Sequence, residues 1–394
     1  MGERSRWKFW LWLGFTSFGG PGAQIATLRT EVVERRGWLT AEQFGRALGL
    51  CFFLPGPEAQ QMIAWTAWKL DGWRSALMAS LAFILPGLLA CAALGYVYVL
   101  YGQLPAVEGA LVGVRAVVAG ILFVSAWRIG AGAYKGLWHG LASIGAFIGL
   151  TFGLPFGVYA LLAGGAGWGF ARSDDSEPEA PSSPGIIRRL VLGLLPFLIL
   201  GGVIVAWSGW TSGFGRLAGV SAFAVLTSFG GAYAALSLWR TQADAAGWLP
   251  SARFGDALVV GEATPGPLML AGSFIGFVAG YQGVLGGGSG WGPALLGWII
   301  PAVFTFGLST ALILATAPLG EAGVASFRFR AAMGLVTAAA AGALAWMGAM
   351  LAWSAGFNVL PVALTLGSAG LAWRGGLGVP WLLALGAFIG WAAG

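Results

Sequence analysis

Six stretches of this chain contain no Asp, Glu, Lys or Arg: residues 75–107, 136–171, 190–215, 263–320, 331–373 and 375–394. A helix that crosses a bilayer needs about 20 consecutive apolar residues. Each stretch is long enough to hold at least one such helix, and 263–320 can hold two. The stretches do not show the alternating apolar and polar residues, in units of about ten, that a membrane β-barrel requires. The chain therefore reads as an all-α polytopic membrane protein. Composition agrees: charged residues make up 9% of the 394 residues, against about 25% in a soluble domain. A soluble enzyme, a disulfide scaffold and a disordered chain are all excluded. The net charge of +6 is not a nucleic-acid signal, because the basic residues sit in short connections between apolar runs, as cytoplasmic loops do. Cys51 and Cys91 lie in apolar surroundings and read as inert thiols. No small-residue cleavage site follows the basic start MGERSRWKFW, so no removed signal peptide is expected.

Within this apolar background one set of blocks occurs twice. The first copy reads Thr16-Ser17-Phe18-Gly19-Gly20, Arg29-Thr30, Gly37-Trp38-Leu39, Phe44-Gly45-x-Ala47-Leu48 and Pro55-Gly56-Pro57. The second reads Thr227-Ser228-Phe229-Gly230-Gly231, Arg240-Thr241, Gly247-Trp248-Leu249, Phe254-Gly255-x-Ala257-Leu258 and Pro265-Gly266-Pro267. The offset is 211 residues for the first two blocks (16 to 227) and 210 for the rest (55 to 265). Further on, Ile84-Leu85-Pro86 corresponds to Ile299-Ile300-Pro301 at an offset of 215.

The organisation that follows is a first repeat over 1–170, a polar cytoplasmic linker over 171–189, a connecting transmembrane helix over 190–208 and a second repeat over 209–394. Each repeat begins with short elements broken by Gly and Pro, at 7–18 with 22–36 and at 42–54 with 58–69. Their counterparts are 216–239 and 251–281. Pieces of 11–15 residues are too short to span, which predicts re-entrant hairpins. Four full spans are then predicted per repeat: 75–101, 106–127, 137–152 and 155–170, and 291–317, 329–351, 357–373 and 377–392. The total is about 9–13 membrane segments. With the N-terminus cytoplasmic, the connecting helix starts the second repeat on the opposite side, so the repeats are expected to be inverted. Charge placement fits this orientation. The predicted inner connections carry Arg128, Lys135, Arg172, Arg188, Arg189, Arg328, Arg330 and Arg374, and the predicted outer ones at 102–105, 153–155, 208–215, 282–290 and 352–356 carry no Lys or Arg. The long stretch after the first hairpin has Arg29, Arg35, Arg36 and Arg46, and its counterpart only Arg240 and Arg253, offset by Asp244 and Asp256.

Inverted repeats with interrupted helices mark secondary transporters, whose substrate site lies near mid-membrane where the breaks meet. A helix that starts after a Gly/Pro break offers free N–H groups and the positive end of its dipole, which favours an anion. Phe18-Gly19-Gly20-Pro21, Phe229-Gly230-Gly231 and the two Pro-Gly-Pro turns, with Gln24, Gln61 and Thr264 beside them, are the expected substrate-binding residues. Glu58 follows the first Pro-Gly-Pro, and Glu262 precedes the second by three residues. Three readings are open for them: proton coupling within the membrane, holding a nearby Arg, or a hairpin tip in water. Arg29 and Arg240 occupy equivalent positions, either to bind an oxyanion bidentately or as plain loop charges. Glu108 and Arg115 stand seven residues apart, on one helical face. Hydrolase, metalloprotease and Walker motifs are absent, and no metal or cofactor is expected.

These residues resemble the CHR family of chromate transporters in its long-chain, two-domain form. The resemblance rests on FTSFGGPGAQIATLRTEVVERRGWL and GLCFFLPGPEAQQ in the first half, and on LTSFGGAYAAL, GWL and GEATPGP in the second. It runs over the whole length. The segment MIAWTAWKLDGW after Gln61 is less polar than the family pattern. The resemblance implies chromate efflux across the inner membrane and chromate resistance, with sulfate as a competing or exchanged tetrahedral analogue. The residues alone reach only an anion-preferring secondary transporter. A sulfate or oxyanion importer and a passive anion channel on the same scaffold stay open, as does assembly into a homodimer.

Overall fold

The computed structural model describes residues 3–154, 156–170, 185–209, 212–228, 232–250, 253–322, 327–375 and 377–393. Every regular element among them is helical. In the first half α1 (Glu3–Thr16), α2 (Gly20–Arg29), α3 (Ala41–Phe53) and α4 (Glu58–Asp71) are the short pieces. They are followed by α5 (Trp73–Tyr101), α6 (Pro105–Ala133), α7 (Leu137–Thr151) and α8 (Phe156–Phe170). The connecting helix is α9 (Ile186–Ser208). Residues 186–189, read from sequence as linker, form its first turn, and 171–184 lie outside the described residues.

The second half repeats this order. Its elements are α10 (Gly213–Leu226), α11 (Ala232–Ala245), α12 (Phe254–Ala263), a 3-10 turn (Leu268–Leu270) and α13 (Ala271–Tyr281). Then come α14 (Trp291–Ala302), a π-helical stretch (Val303–Gly307), α15 (Leu308–Ala322), α16 (Phe327–Ala355), α17 (Val359–Arg374) and α18 (Val379–Ala393).

Five stretches of helix are long and apolar enough to span: Trp73–Tyr101, Pro105–Ala133, Ile186–Ser208, Trp291–Leu319 and Ala331–Ala355. Helices α7, α8, α17 and α18, expected as full spans, are 15 or 16 residues long. At 1.5 Å per residue they reach about 22–24 Å, short of the roughly 30 Å hydrocarbon layer. Gly and Pro set these limits. Gly136 (φ 149°) and Gly153 (φ 79°) interrupt the chain on either side of α7.

The long helices meet through small residues, as membrane helices do where no hydrophobic force drives them together. Gly113 of α6 sits against the Gly386 carbonyl of α18, and Gly390 against that of Gly109. Both pairs are spaced i, i+4. Gly120 of α6 lies on the Thr365 carbonyl of α17, and Gly342 of α16 lies on the Ser143 carbonyl of α7. Each member of one pair is 222 residues from its counterpart (120 to 342, 143 to 365). Helices α6 and α16 pack on each other with Gly130 against Ala341 and Gly348 against Ala119 and Phe123, so they run antiparallel. Each half is thereby threaded into the other: α7 and α8 pack on α16, and α17 and α18 pack on α6. The connecting helix stays on the outside. It packs on α15 and α10 and exposes Val191, Leu195, Leu198, Ile199 and Val203, a face suited to lipid.

Candidate functional site

The broken elements of the two halves touch. The Ser17 carbonyl, at the end of the first break, accepts the Gly266 N–H at 2.8 Å. Gln24 Nε2 donates to the Gly266 carbonyl at 2.8 Å and lies 3.5 Å from that of Ser17. The Phe18-Gly19-Gly20-Pro21 turn of one half thus docks on the Pro265-Gly266-Pro267 turn of the other. Gly19 (φ 91°) caps α2, and Pro21 stands in its first turn, where a missing N–H costs nothing. Phe229, Gly230 and Gly231, the equivalent turn, lie outside the described residues.

The first Pro-Gly-Pro is the more polar of the two. Gly56 holds φ 129°, a conformation closed to other L-residues. Gln61 Nε2 donates to the Pro55 carbonyl at 2.9 Å and ties the turn back. Pro57 is the N-cap of α4 and supplies no side-chain cap, and the Glu58 carboxylate turns back onto its own backbone N–H at the start of the helix. Glu58, Gln60 and Gln61 are all buried there. Gln60 Nε2 donates to Ser80 Oγ of α5 at 2.5 Å and to Thr310 Oγ1 of α15 at 2.6 Å, and these two hydroxyls are 2.9 Å apart.

Around this helix end several buried polar atoms have no partner. They are Glu58 Oε2, Gln60 Oε1 and Gln61 Oε1 on α4, with Ser309 Oγ beside Gly56 and Thr305 Oγ1 four residues before it in the chain. At the neighbouring break the same is true of Ser17 Oγ and Gln24 Oε1. Buried polar atoms are nearly always satisfied, so a cluster of exceptions marks a place where something else binds.

The second Pro-Gly-Pro differs. At the 210-residue offset, Glu58-Ala59-Gln60-Gln61 becomes Leu268-Met269-Leu270-Ala271, all buried and apolar. Gly266 (φ 106°) keeps the turn geometry, and α5 crosses it so closely that Gly87 meets the Pro265 carbonyl oxygen. Thr264 is buried against Cys91 Sγ at 3.7 Å, and Glu262 is buried on the last turn of α12. Here the residues build a joint between halves, whereas at Gly56 they leave buried polar groups without partners.

Of the two arginines named from sequence, Arg29 is exposed at the far end of α2, nine residues after its first residue Gly20. Arg240 is half-buried on α11, with its guanidinium 5.1 Å from the Trp346 ring centre. Neither stands at the α4 N-terminus. Glu108 and Arg115, on one face of α6, form a hydrogen bond at 3.2 Å. The larger partner of Arg115 escaped sequence reading: Asp256 of α12 takes Arg115 Nε at 2.7 Å and Nη2 at 2.5 Å, and accepts the Tyr98 hydroxyl at 2.9 Å. The signal was the block Phe-Gly-x-Ala-Leu, in which x is Arg46 in one copy and Asp256 in the other. Arg46 is exposed and pairs with Glu42, whereas Asp256 is fully buried.

A helical membrane protein whose broken helices meet in its interior, around unsatisfied polar groups, has the build of a membrane transporter. The chain belongs to the chromate transporter family, whose model matches it over residues 6–170 and 216–391. That family is one of transporters rather than enzymes. A chromate transport protein of Pseudomonas aeruginosa is 29% identical over 294 residues, which cover 68% of this chain and 64% of that protein. The match thus spans less than two thirds of that relative. A probable chromate transport protein of Synechococcus elongatus is 28% identical over 70% of this chain and 69% of its own length. The uncharacterized transporter YwrB of Bacillus subtilis is 36% identical over 140 residues, 35% of this chain and 71% of that protein. No solved structure matches the chain.

Proposed function

We propose that this protein is a secondary transporter that exports chromate, a tetrahedral dianion, from the cytoplasm across the inner membrane and so confers chromate resistance. The observation that carries this reading is the α4 N-terminus, where a helix end with no cap from its N-cap residue lies beside Gly56 and Gln61 among unsatisfied buried groups. The dipole and free N–H groups of such an end attract an oxyanion. The names of the similar chromate transport proteins support the choice of anion. Sulfate has the same shape and charge and would compete or exchange.

Two further features support the transport reading. The equivalent helices α6 and α16 run antiparallel, as they would if the two repeats were inverted across the membrane. Under that topology the N-terminus is cytoplasmic, and the basic connections fall inside. Glu58 is buried at the helix end and forms no ion pair among the described residues. Ionised, it would repel a dianion, and a proton would remove that repulsion, so Glu58 is assigned to proton coupling, with Glu262, three residues before the second Pro-Gly-Pro, as the carboxyl of the second half assigned to the same task. Outward movement of a dianion is also driven by an inside-negative potential, at about 2.3 kcal/mol per charge per 100 mV.

Flux measurements on the purified protein in proteoliposomes test the reading. Chromate movement that saturates, is inhibited by sulfate and runs uphill under an imposed potential or pH gradient is the expected result. Non-saturating flux that stops at equilibrium would make the protein a channel. Sulfate accumulation on the cytoplasmic side, with no chromate export, would make it an importer.

A further inference from the structure

The π-helical stretch Val303–Gly307 lies between α14 and α15 in what would otherwise be one long spanning helix. Such interruptions cost backbone hydrogen bonds and recur at functional sites. The face it presents can be read from its contacts. The Phe306 carbonyl lies 3.3 Å from Gln60 Nε2, and Thr310 Oγ1 lies 2.6 Å from the same atom. Ser309 stands against Gly56: a Cβ placed on Gly56 would come within 2.6 Å of Ser309 Oγ and 2.7 Å of Gln61 Nε2. Residues 306, 309 and 310 therefore face the N-terminal turn of α4, and Thr305 stands one turn before Ser309 on that side.

Two hydroxyls in this segment have no hydrogen-bond partner among the described residues. Thr305 is 1% exposed and Ser309 is fully buried, yet neither Thr305 Oγ1 nor Ser309 Oγ has a hydrogen-bond partner. A serine or threonine inside a helix usually bonds back to a carbonyl three or four residues earlier. Thr310 does so, to Phe306. The feature is also one-sided. At the 215-residue offset, the matching positions on α5 are Ala90 and Leu94.

We propose that Thr305 and Ser309 are substrate-binding residues, hydroxyl donors from the second half that close the oxyanion site opened by Gly56 and α4 in the first. One tetrahedral oxyanion then bridges the two halves, held by helix-end N–H groups on one side and by two hydroxyls on the other. The inference rests on the oxyanion reading of the α4 turn and adds the groups that recognise the far oxygens. Hydroxyls suit this task because each supplies one directed donor without a second fixed charge, so a dianion is bound without being trapped. Occupancy would also join α4 to α15, the contact that a site shared between halves must make and break during transport.

The experiment is sulfate and chromate binding to the purified full-length protein in nanodiscs, followed by tryptophan fluorescence, with a thermal unfolding midpoint recorded without ligand. Thr305→Val and Ser309→Ala, singly and together, are compared with Thr305→Ser, Gln61→Ala and Glu58→Gln. Each lost hydroxyl is expected to weaken binding about tenfold, the scale of one hydrogen bond to a charged group. Thr305→Ser is expected to keep wild-type affinity. The ligand-free midpoint is expected to hold, since no protein partner is orphaned. If the double variant binds both anions normally while Gln61→Ala binds weakly, the two hydroxyls lie outside the site and this proposal falls, although the α4 reading stands. If none of the variants changes binding, both fall. A fall in the ligand-free midpoint that accompanies the loss of affinity would make the hydroxyls structural and would also overturn the proposal.

Discussion

Arg115 and Asp256 form a buried ion pair that ties α6 of the first half to α12 of the second. The guanidinium Nη2 lies 2.5 Å from Asp256 Oδ1, and both side chains are almost completely shielded. Tyr98 and Glu108 take up the remaining valences. Removing one member of such a pair strands the other as an uncompensated charge, at a cost of about 3–5 kcal/mol. Asp256→Ala and Arg115→Ala are therefore expected to lower the unfolding midpoint strongly in detergent. The double substitution should be less damaging than the sum of the two, which a double-mutant cycle of thermal midpoints would read.

The two Pro-Gly-Pro turns should tolerate no side chain. Gly56→Ala and Gly266→Ala each place a Cβ at positive φ, a strain of about 1–3 kcal/mol. At Gly56 the added carbon also meets Ser309 and Gln61. Gly286→Ala is the control, because it shares a positive φ (86°) and has open space around it. Chromate flux should be abolished in Gly56→Ala and retained in Gly286→Ala.

Glu58→Gln fixes the buried carboxyl in an uncharged form. If Glu58 carries the coupled proton, this variant should bind chromate and lose the response of flux to an imposed pH gradient. A pH response identical to that of the wild type would remove Glu58 from coupling.

The α6–α18 crossing depends on Gly109, Gly113, Gly386 and Gly390. Gly113→Val and Gly390→Val force the helices apart, because a Cβ at either position meets a backbone carbonyl of the other helix. An overpacking cost of about 1–3 kcal/mol is expected, measured as a lower unfolding midpoint. Gly132→Ala on the same helix, with no neighbour within 4 Å, should leave the midpoint nearly unchanged.

Opposite orientation of the repeats predicts opposite labelling. Single cysteines placed at 36–40 and at 245–249, in a background lacking Cys51 and Cys91, should react with an impermeant thiol reagent from different sides of the membrane. Reaction from one side alone would refute inversion.

The helices and their breaks were legible because their causes are local. Uncharged runs define α5, α6 and α9, and Gly19-Gly20-Pro21 and Pro55-Gly56-Pro57 stop helices wherever they occur. What escaped notice depends on distant partners. Asp256 sits in a block whose first-half copy carries an exposed Arg46, so nothing local shows that it is buried against Arg115. Thr305 and Ser309 lie in an apolar run where a hydroxyl hardly alters hydropathy, and the π-helical stretch has no sequence signature. The doubled motif also suggested two equivalent turns, yet Glu58 and Gln61 have Leu268 and Ala271 as counterparts. Recurrence reported a shared backbone, and the chemistry was kept in one copy.

The exchange of helices between halves constrains how the molecule can move. With α7 and α8 seated on α16, and α17 and α18 on α6, sliding one sequence half past the other would tear both sets of contacts at once. The division that leaves them whole cuts across the gene order. It separates a frame of α6–α8 and α16–α18 from a carriage of α1–α5 and α10–α15, which holds both Pro-Gly-Pro turns. Arg115 and Asp256 then face each other across that seam, as a clasp between frame and carriage.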